Sequence, residues 1–229
     1  MLALKQALSI VSTKNLGSSW NPSDEGSLVA WWQNKVGITL TPSTTRVESW
    51  IDSGPEAFDM VQATALEKPD YNSTTGVLTF DSSNSQSLQM QDQISIAGEF
   101  TIGIRLRPSS FNNAILGDNT TGNEYFKYTT DSNIRIKIDG GTANINLDSG
   151  VFGDDYLVIT RNASDILSLY QNGTLQTTTA TLSGTSDIDA IGIRATNVNP
   201  YSGDISEIQI YNSTSAALIA NINNRLSNL

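Results

Sequence analysis

Tyr156-Leu-Val-Ile-Thr-Arg-Asn162, Ile166-Leu-Ser-Leu-Tyr-Gln-Asn-Gly-Thr174 and Tyr201-Ser-Gly-Asp-Ile-Ser-Glu-Ile-Gln-Ile-Tyr-Asn212 decide the fold of this chain. Each run alternates apolar and polar residues, the period of a strand with one buried face. Ala163-Ser164-Asp165 separates the first two runs. Asn172-Gly173 ends the second with a strong hairpin signal, because such turns need positive φ at both central positions. The third run leads into Ser215 to Leu226, where a Ser cap precedes Ala, Leu and Ile at helical spacing.

The same texture extends toward the N-terminus. Glu99-Phe-Thr-Ile-Gly-Ile-Arg-Leu-Arg107 puts Phe100, Ile102, Ile104 and Leu106 on one face. Asn112 to Gly117 and Glu124 to Thr129 read as a pair of strands joined by the polar loop from Asp118 to Asn123. Asn133 to Asp139 alternates again, Gly140-Gly141 turns the chain, and Ile188 to Ile193 gives a further strand. Many short strands with turn signals between them indicate two packed sheets. Before them, Leu4, Ala7, Leu8 and Val11 have helical spacing, and Asn15 to Gly26 reads as a linker. The expected organisation is therefore a tether or anchoring segment over residues 1–25 and one domain over 26–229.

The order of these motifs resembles the concanavalin A-like jelly roll in its laminin-G-like form. The residues that carry the resemblance are the Asn172-Gly173 hairpin, the closing Gly203-Asp-Ile205-Ser-Glu207 strand, the opening Leu28-Val-Ala-Trp-Trp-Gln33 strand, Trp50-Ile-Asp52-Ser-Gly54, and Pro69-Asp-Tyr71 followed by Val77-Leu-Thr-Phe80-Asp81. Ser82 departs from the pattern, which usually has Gly there. The resemblance implies an all-β, two-sheet antiparallel sandwich with a short C-terminal helix. Such domains are frequent in virion proteins of tailed phages and in secreted glycan-binding modules. The resemblance specifies a scaffold rather than a function.

Composition narrows the classes. Thirteen Lys+Arg face 23 Asp+Glu, giving a formal charge of −10. That disfavours nucleic acid and anionic membrane surfaces, which require cationic compensation. No cysteine is present, so no disulfide framework and no thiolate metal site can form. No run of about 18 apolar residues exists to cross a membrane as a helix. Met1 to Val11 lacks the layout of a signal peptide, since Lys5 interrupts a short apolar stretch. A polar, weakly charged surface without signal or cysteine fits a particle released by lysis. The expectation is a non-enzymatic virion protein: an exposed decoration, fibre or appendage. Its expected partners are other virion proteins, further copies of itself and a host-surface glycan. A bacterial carbohydrate-binding lectin with an extracellular location is the alternative, and a glycoside hydrolase the remote one.

Histidine is absent too, so the common nucleophile–base pairs are excluded. Carboxylates remain. Asp187-Ile-Asp189 is the nearest approach to an acid pair and sits where Asp is ordinary turn chemistry. Asp204 and Glu207, three apart in a strand, are expected on opposite faces. No catalytic residue is assigned. Calcium needs only oxygen donors, and Asp118, Glu124 and Asp131 are the candidate ligands. Asp118, Asn119, Glu124 and Tyr125 are the candidate ligand-binding set, expected on an exposed rim loop. The aromatics expected in loops are Trp20, Phe111, Tyr125, Phe126 and Tyr201. Adjacent Trp31 and Trp32 must point to opposite faces. The outward one is expected beneath the N-terminal segment or at an interface.

Overall fold

The computed structural model describes residues 20–150, 153–195 and 198–229. The strands in chain order are β1 (Leu28–Trp32), β2 (Ile38–Leu40), β3 (Val47–Trp50), β4 (Met60–Val61), β5 (Asp70–Asn72), β6 (Val77–Phe80), β7 (Leu88–Ile96), β8 (Phe100–Pro108) and β9 (Ala114–Gly117). They continue as β10 (Tyr125–Thr130), β11 (Asn133–Ile138), β12 (Gly141–Asn146), β13 (Asp155–Arg161), β14 (Ile166–Gln171), β15 (Thr174–Leu175), β16 (Ala180–Thr181), β17 (Ser186–Ile191) and β18 (Gly203–Tyr211). Helix α1 (Ala216–Ser227) follows. Sheet A runs β15-β14-β13-β8-β18-β6-β5, with β1 also on β18 and β16 on β14; sheet B runs β12-β11-β10-β9-β17-β7-β4-β3-β2. All the strand pairs are antiparallel, so this is the all-β sandwich that the motif order implies. The amphipathic segment expected at residues 2–12 lies outside the described residues.

The alternation read from the residues produces the sandwich. Phe100, Ile102, Ile104 and Leu106 of β8 stand beside Leu157 and Ile159 of β13 and Ile205, Ile208 and Ile210 of β18 on the inner face of sheet A, within one core. The hairpin at Asn172-Gly173 closes with both residues at positive φ, 51° and 79°, as its turn type demands. Where Ser82 departs from the family pattern, Asp81 caps a short 3-10 turn and Ser85 takes the left-handed conformation instead. The strand expected at Ile188–Ile193 starts two residues earlier, at Ser186, because Ser186 and Asp187 pair with Ile96 and Ser95 of β7 despite their turn-like chemistry.

A second, smaller core lies on the outer face of sheet A. Trp32 points into the sandwich, while Trp31 points outward and packs with Leu28, Val158 and Tyr211 under α1. Trp20 packs at the margin of this cluster, and its indole donates to Glu25 at 2.7 Å. The outward tryptophan is thus covered by the C-terminal helix, with Trp20 of the expected N-terminal segment at its margin; the rest of that segment, residues 1–19, lies outside the described residues. Ser215 caps α1 by accepting from the Leu218 amide. Leu218, Ile222 and Leu226 recur every four residues and form its buried stripe. The helix can lie this close because β8 carries Gly103 at the crossing. A Cβ there would sit 2.5 Å from the Ile222 side chain, the close approach for which a strand glycine is kept.

Glu207 fastens the layer. It is fully buried, and it accepts from Trp31 Nε1 at 3.0 Å, the Asn34 amide at 3.1 Å and Gln209 Nε2 at 2.7 Å. Arg225 of α1 adds a two-pronged ion pair through Nε and Nη2. The Arg225 guanidinium also lies over the Trp31 ring, 4.8 Å from its centroid. The pairing register of β18 with β8 slips between Ile205 and Glu207. This bulge at Ser206 leaves Ile205 and Ile208 both in the core and turns Asp204 and Glu207 to the same outer face. The expected opposite orientation of those two acids is corrected by that extra residue.

Removing the Glu207 carboxylate strands several buried donors at once, whereas Asp204 is held only by exposed Thr79. Glu207→Ala is expected to lower unfolding free energy by about 3 kcal/mol. Asp204→Ala is expected to change it by under about 0.5 kcal/mol. Urea denaturation of both variants checks this, and equal losses would show that the Glu207 joint is not a stabilising centre.

Candidate functional site

The loop from Asp118 to Asn123 is locked rather than free. Asp118 accepts from the Thr120 amide and hydroxyl, both at 2.6 Å, and from the amide and hydroxyl of Thr121 at 3.2 Å. Burial pushes its carboxyl up, but these four bonds outweigh that and hold it below the ordinary value. The Asn119 amide donates to Asp189 at 2.6 Å and its side chain to Gln89 at 3.0 Å. Glu124 turns inward and accepts from the Asp139 amide. Asp118 and Glu124 are only 3% and 4% exposed, so the expected exposed binding loop is corrected: Asp118 spends its oxygens on the loop itself, and Glu124 turns to the β11–β12 turn.

The calcium candidates are not brought together. Asp118 is closed on its own turn, Glu124 faces the interior, and Asp131 lies in the turn at the far end of β10, six residues from Tyr125 or roughly 20 Å along an extended strand. Among the described residues no group of three acids is placed to hold a metal ion.

Tyr125 does face outward, but it is covered. Gly117, its partner on β9, has no side chain. A Cβ there would stand 2.8 Å from the Arg194 Cβ, and Arg194 uses that space to lay its guanidinium 4.6 Å above the Tyr125 ring. Lys127 reaches the same ring at 5.4 Å. Of the other aromatics expected in loops, Phe126 and Tyr201 are core residues and Trp20 belongs to the second core. Phe111 alone of the five is exposed, at 38%.

The open half of sheet A's outer face forms the groove that the sequence did not indicate. Helix α1 covers the other half. The groove, of 560 Å³, has Asn34, Asn72, Thr79, Arg105, Arg107 and Asp204 among its walls and Leu229 at one end. Arg105 is fixed by Asp154 at 2.8 Å and by the Leu226 carbonyl at the end of α1, also at 2.8 Å. Asn34 donates to the Gly76 and Ser206 carbonyls, bridging the gap where β6 ends and β1 begins along β18. Thr79 donates to Asp204 at 2.6 Å. Arg107 is exposed and, among the described residues, has no ion pair. Its alternation with Arg105 in Ile-Arg-Leu-Arg was the one legible signal. The remaining walls come from distant parts of the chain.

Acids outside the groove are committed too. Asp187 accepts from Ser95 at 2.6 Å. Burial raises the Asp189 carboxyl against the pull of the Asn119 amide, and Asp118 and Asp187 raise it further. Burial, joined by the charges of Asp187 and Asp139, pushes Glu124 up to about 7, although the Asp139 amide pulls it down. Neither Asp189 nor Glu124 lines the groove.

A family model described as the concanavalin A-like lectin/glucanases superfamily matches residues 80–218. Among solved structures, the chain is similar to the CBM40 of the Ruminococcus gnavus IT-sialidase bound to α2,3 sialyllactose: 19% identity, TM-score 0.42, covering 55% of this chain and 82% of that one. It is similar to a native heptameric SAP-like pentraxin from Limulus polyphemus: 13% identity, TM-score 0.47, covering 58% and 73%. A mutant of the NanB sialidase from Streptococcus pneumoniae matches at 18% identity and TM-score 0.41, over 58% of this chain and 27% of that one. No curated protein matches the chain.

Glu124 makes stability pH-dependent with a definite sign. Its folded value near 7 lies above its unfolded value of 4.5. Its contribution is therefore complete below pH 4.5 and is lost as pH rises through 7. The loss is on the order of 3 kcal/mol. Glu124→Gln, which keeps an acceptor for Asp139, is expected to lose none of it. Urea unfolding at pH 5 and pH 8 should show the variant gaining on wild type at the higher pH. A constant difference between the two proteins would refute the assignment.

Proposed function

Because the chain belongs to the concanavalin A-like lectin/glucanases superfamily, we propose that it is a non-catalytic carbohydrate-binding module whose glycan lies in the groove on sheet A. The observation that carries this reading is the state of the groove's acids. A glycosidase needs two carboxyls free to act on either side of the scissile bond. Here Asp154 is ion-paired with Arg105 and Asp204 is bonded to Thr79. The acid raised toward neutrality, Glu124, is buried elsewhere. What the groove offers is amides, hydroxyls and two guanidiniums on a rigid sheet floor, the convergent polar groups that orient a polyhydroxylated ligand.

The ordered motifs resemble a laminin-G-like form that is frequent in virion proteins of tailed phages as well as in secreted modules, and with a chain free of cysteine this favours a location for such a module on a virion. There it would contact other virion proteins while the groove meets a host glycan. Mass spectrometry of particles tests that location: absence of the chain from purified virions would leave the free-standing lectin.

Arg107→Ala is expected to weaken glycan-array binding about tenfold without moving the melting temperature, since its side chain is exposed and not ion-paired. The wild-type protein is expected to release no reducing ends from a polysaccharide panel. Release that disappears in Asp204→Asn or Asp154→Asn would overturn the non-catalytic reading.

A further inference from the structure

The outer face of sheet B carries an array of cations that stability does not explain. In a chain of net charge −10, Lys127, Arg135, Lys137 and Arg194 are grouped around Tyr125. Lys127 stands directly opposite Arg135 across the β10–β11 ladder, and Tyr125 opposite Lys137. Like charges in directly opposed positions destabilise a sheet. Burial, then Arg194 and Arg135, hold the Lys127 amine below its ordinary value. Lys127 is only 5% exposed.

The partners of the four cations make the point sharper. Lys127 donates to the Asn112 side-chain oxygen at 2.9 Å and Arg135 to that of Asn144 at 3.0 Å. Lys137 donates to the Gly122 carbonyl at 2.8 Å, and Arg194 to the Asn199 side-chain oxygen at 2.7 Å. All four acceptors are neutral. None of the four cations is among the ion pairs of the described residues, which join Arg46, Lys68, Arg105 and Arg225 to acids. The acids beside the array, Asp118 and Asp189, are taken by Thr120, Thr121 and Asn119. Each cation is thus oriented without being neutralised. Preorganised charge of this kind lowers the cost of binding an anion.

We propose that this face is a second binding site, distinct from the groove, for the sulfate or carboxylate groups of an acidic polysaccharide. Guanidiniums at Arg135 and Arg194 match the oxygens of such groups in geometry as well as charge. The chain's overall negative charge repels a polyanion at distance, so attraction depends on contact with this array. The choice of a polysaccharide rests on the carbohydrate-binding reading above; the anion chemistry does not.

Isothermal titration of the full chain with dextran sulfate, polygalacturonate, neutral dextran and inorganic sulfate at low salt tests it. Binding of either acidic polymer but not neutral dextran is expected. Arg135→Ala with Arg194→Ala is expected to weaken that binding at least tenfold, and Arg107→Ala to leave it unchanged. Thermal melting shows that the double variant is folded, and Arg135→Lys, which keeps the charge, should restore part of the affinity. Failure of both acidic polymers to bind overturns the site. So does a double variant that binds as wild type, or binding equal to that of inorganic sulfate alone, which would mark a simple ion site. Acidic-polymer binding lost in Arg107→Ala but kept in the double variant would keep the groove while excluding this face.

Discussion

A single buried carboxylate, that of Glu207, holds together parts of the chain that would otherwise have no reason to meet. Its oxygens collect the indole of β1, the amide just after β1, a neighbouring amide side chain on β18 and the guanidinium of α1. A charge at such depth is tolerated only when every acceptor direction is filled. That requirement fixes the position of the helix along the sheet. The helix position, in turn, divides the outer face of sheet A into a covered apolar half and an open polar half. The groove exists because α1 stops where it does, with Arg105 closing its last turn.

The two outer faces consequently have different chemistry. Sheet A spends half its surface on a second core, and the remainder is a concavity of mixed polarity. Among the described residues helix α1 packs on sheet A and not on sheet B, so the outward side chains of sheet B lie among one another. On β10 and β11 these are largely basic, in a protein that is acidic elsewhere. The asymmetry comes from strand alternation: Tyr125, Lys127, Arg135 and Lys137 all occupy outward positions, while Phe126, Tyr128, Ile134 and Ile136 fill the core.

The sequence made the sandwich legible where physics is local. Alternation over Phe100 to Leu106, the Asn172-Gly173 turn and the Ser215 cap each determine conformation within a few residues. The site was harder to see. The bulge at Ser206, which depends on pairing with β8, reverses the expected orientation of Glu207 relative to Asp204. The loop from Asp118 to Asn123 has the composition of a binding loop, but the same side chains serve equally well to cap turns, and the structure shows that use. Arg194 reaches Tyr125 only because Gly117 leaves room some 77 positions earlier in the chain, an encounter that no spacing rule contains. The groove draws on β5, β6, β8 and β18 together with the segment after β1, and apart from the alternation of Arg105 and Arg107 it was invisible for the same reason.

The joint at Glu207 also sets an order of events during synthesis. Trp31 emerges well before its partners: the acceptor of its indole lies 176 residues later and its covering helix later still. Until Arg225 has been made, a large aromatic surface on β1 stays uncovered while most of the two sheets can already assemble. Non-local closures of this kind are the slow ones, so α1 acts as a latch that is thrown after the sheets have paired. A ribosome that stalls a few codons short of Arg225 would leave a nearly complete sandwich with its tryptophan side sticky, and exposed apolar surface of that sort is what chaperones and aggregates recognise.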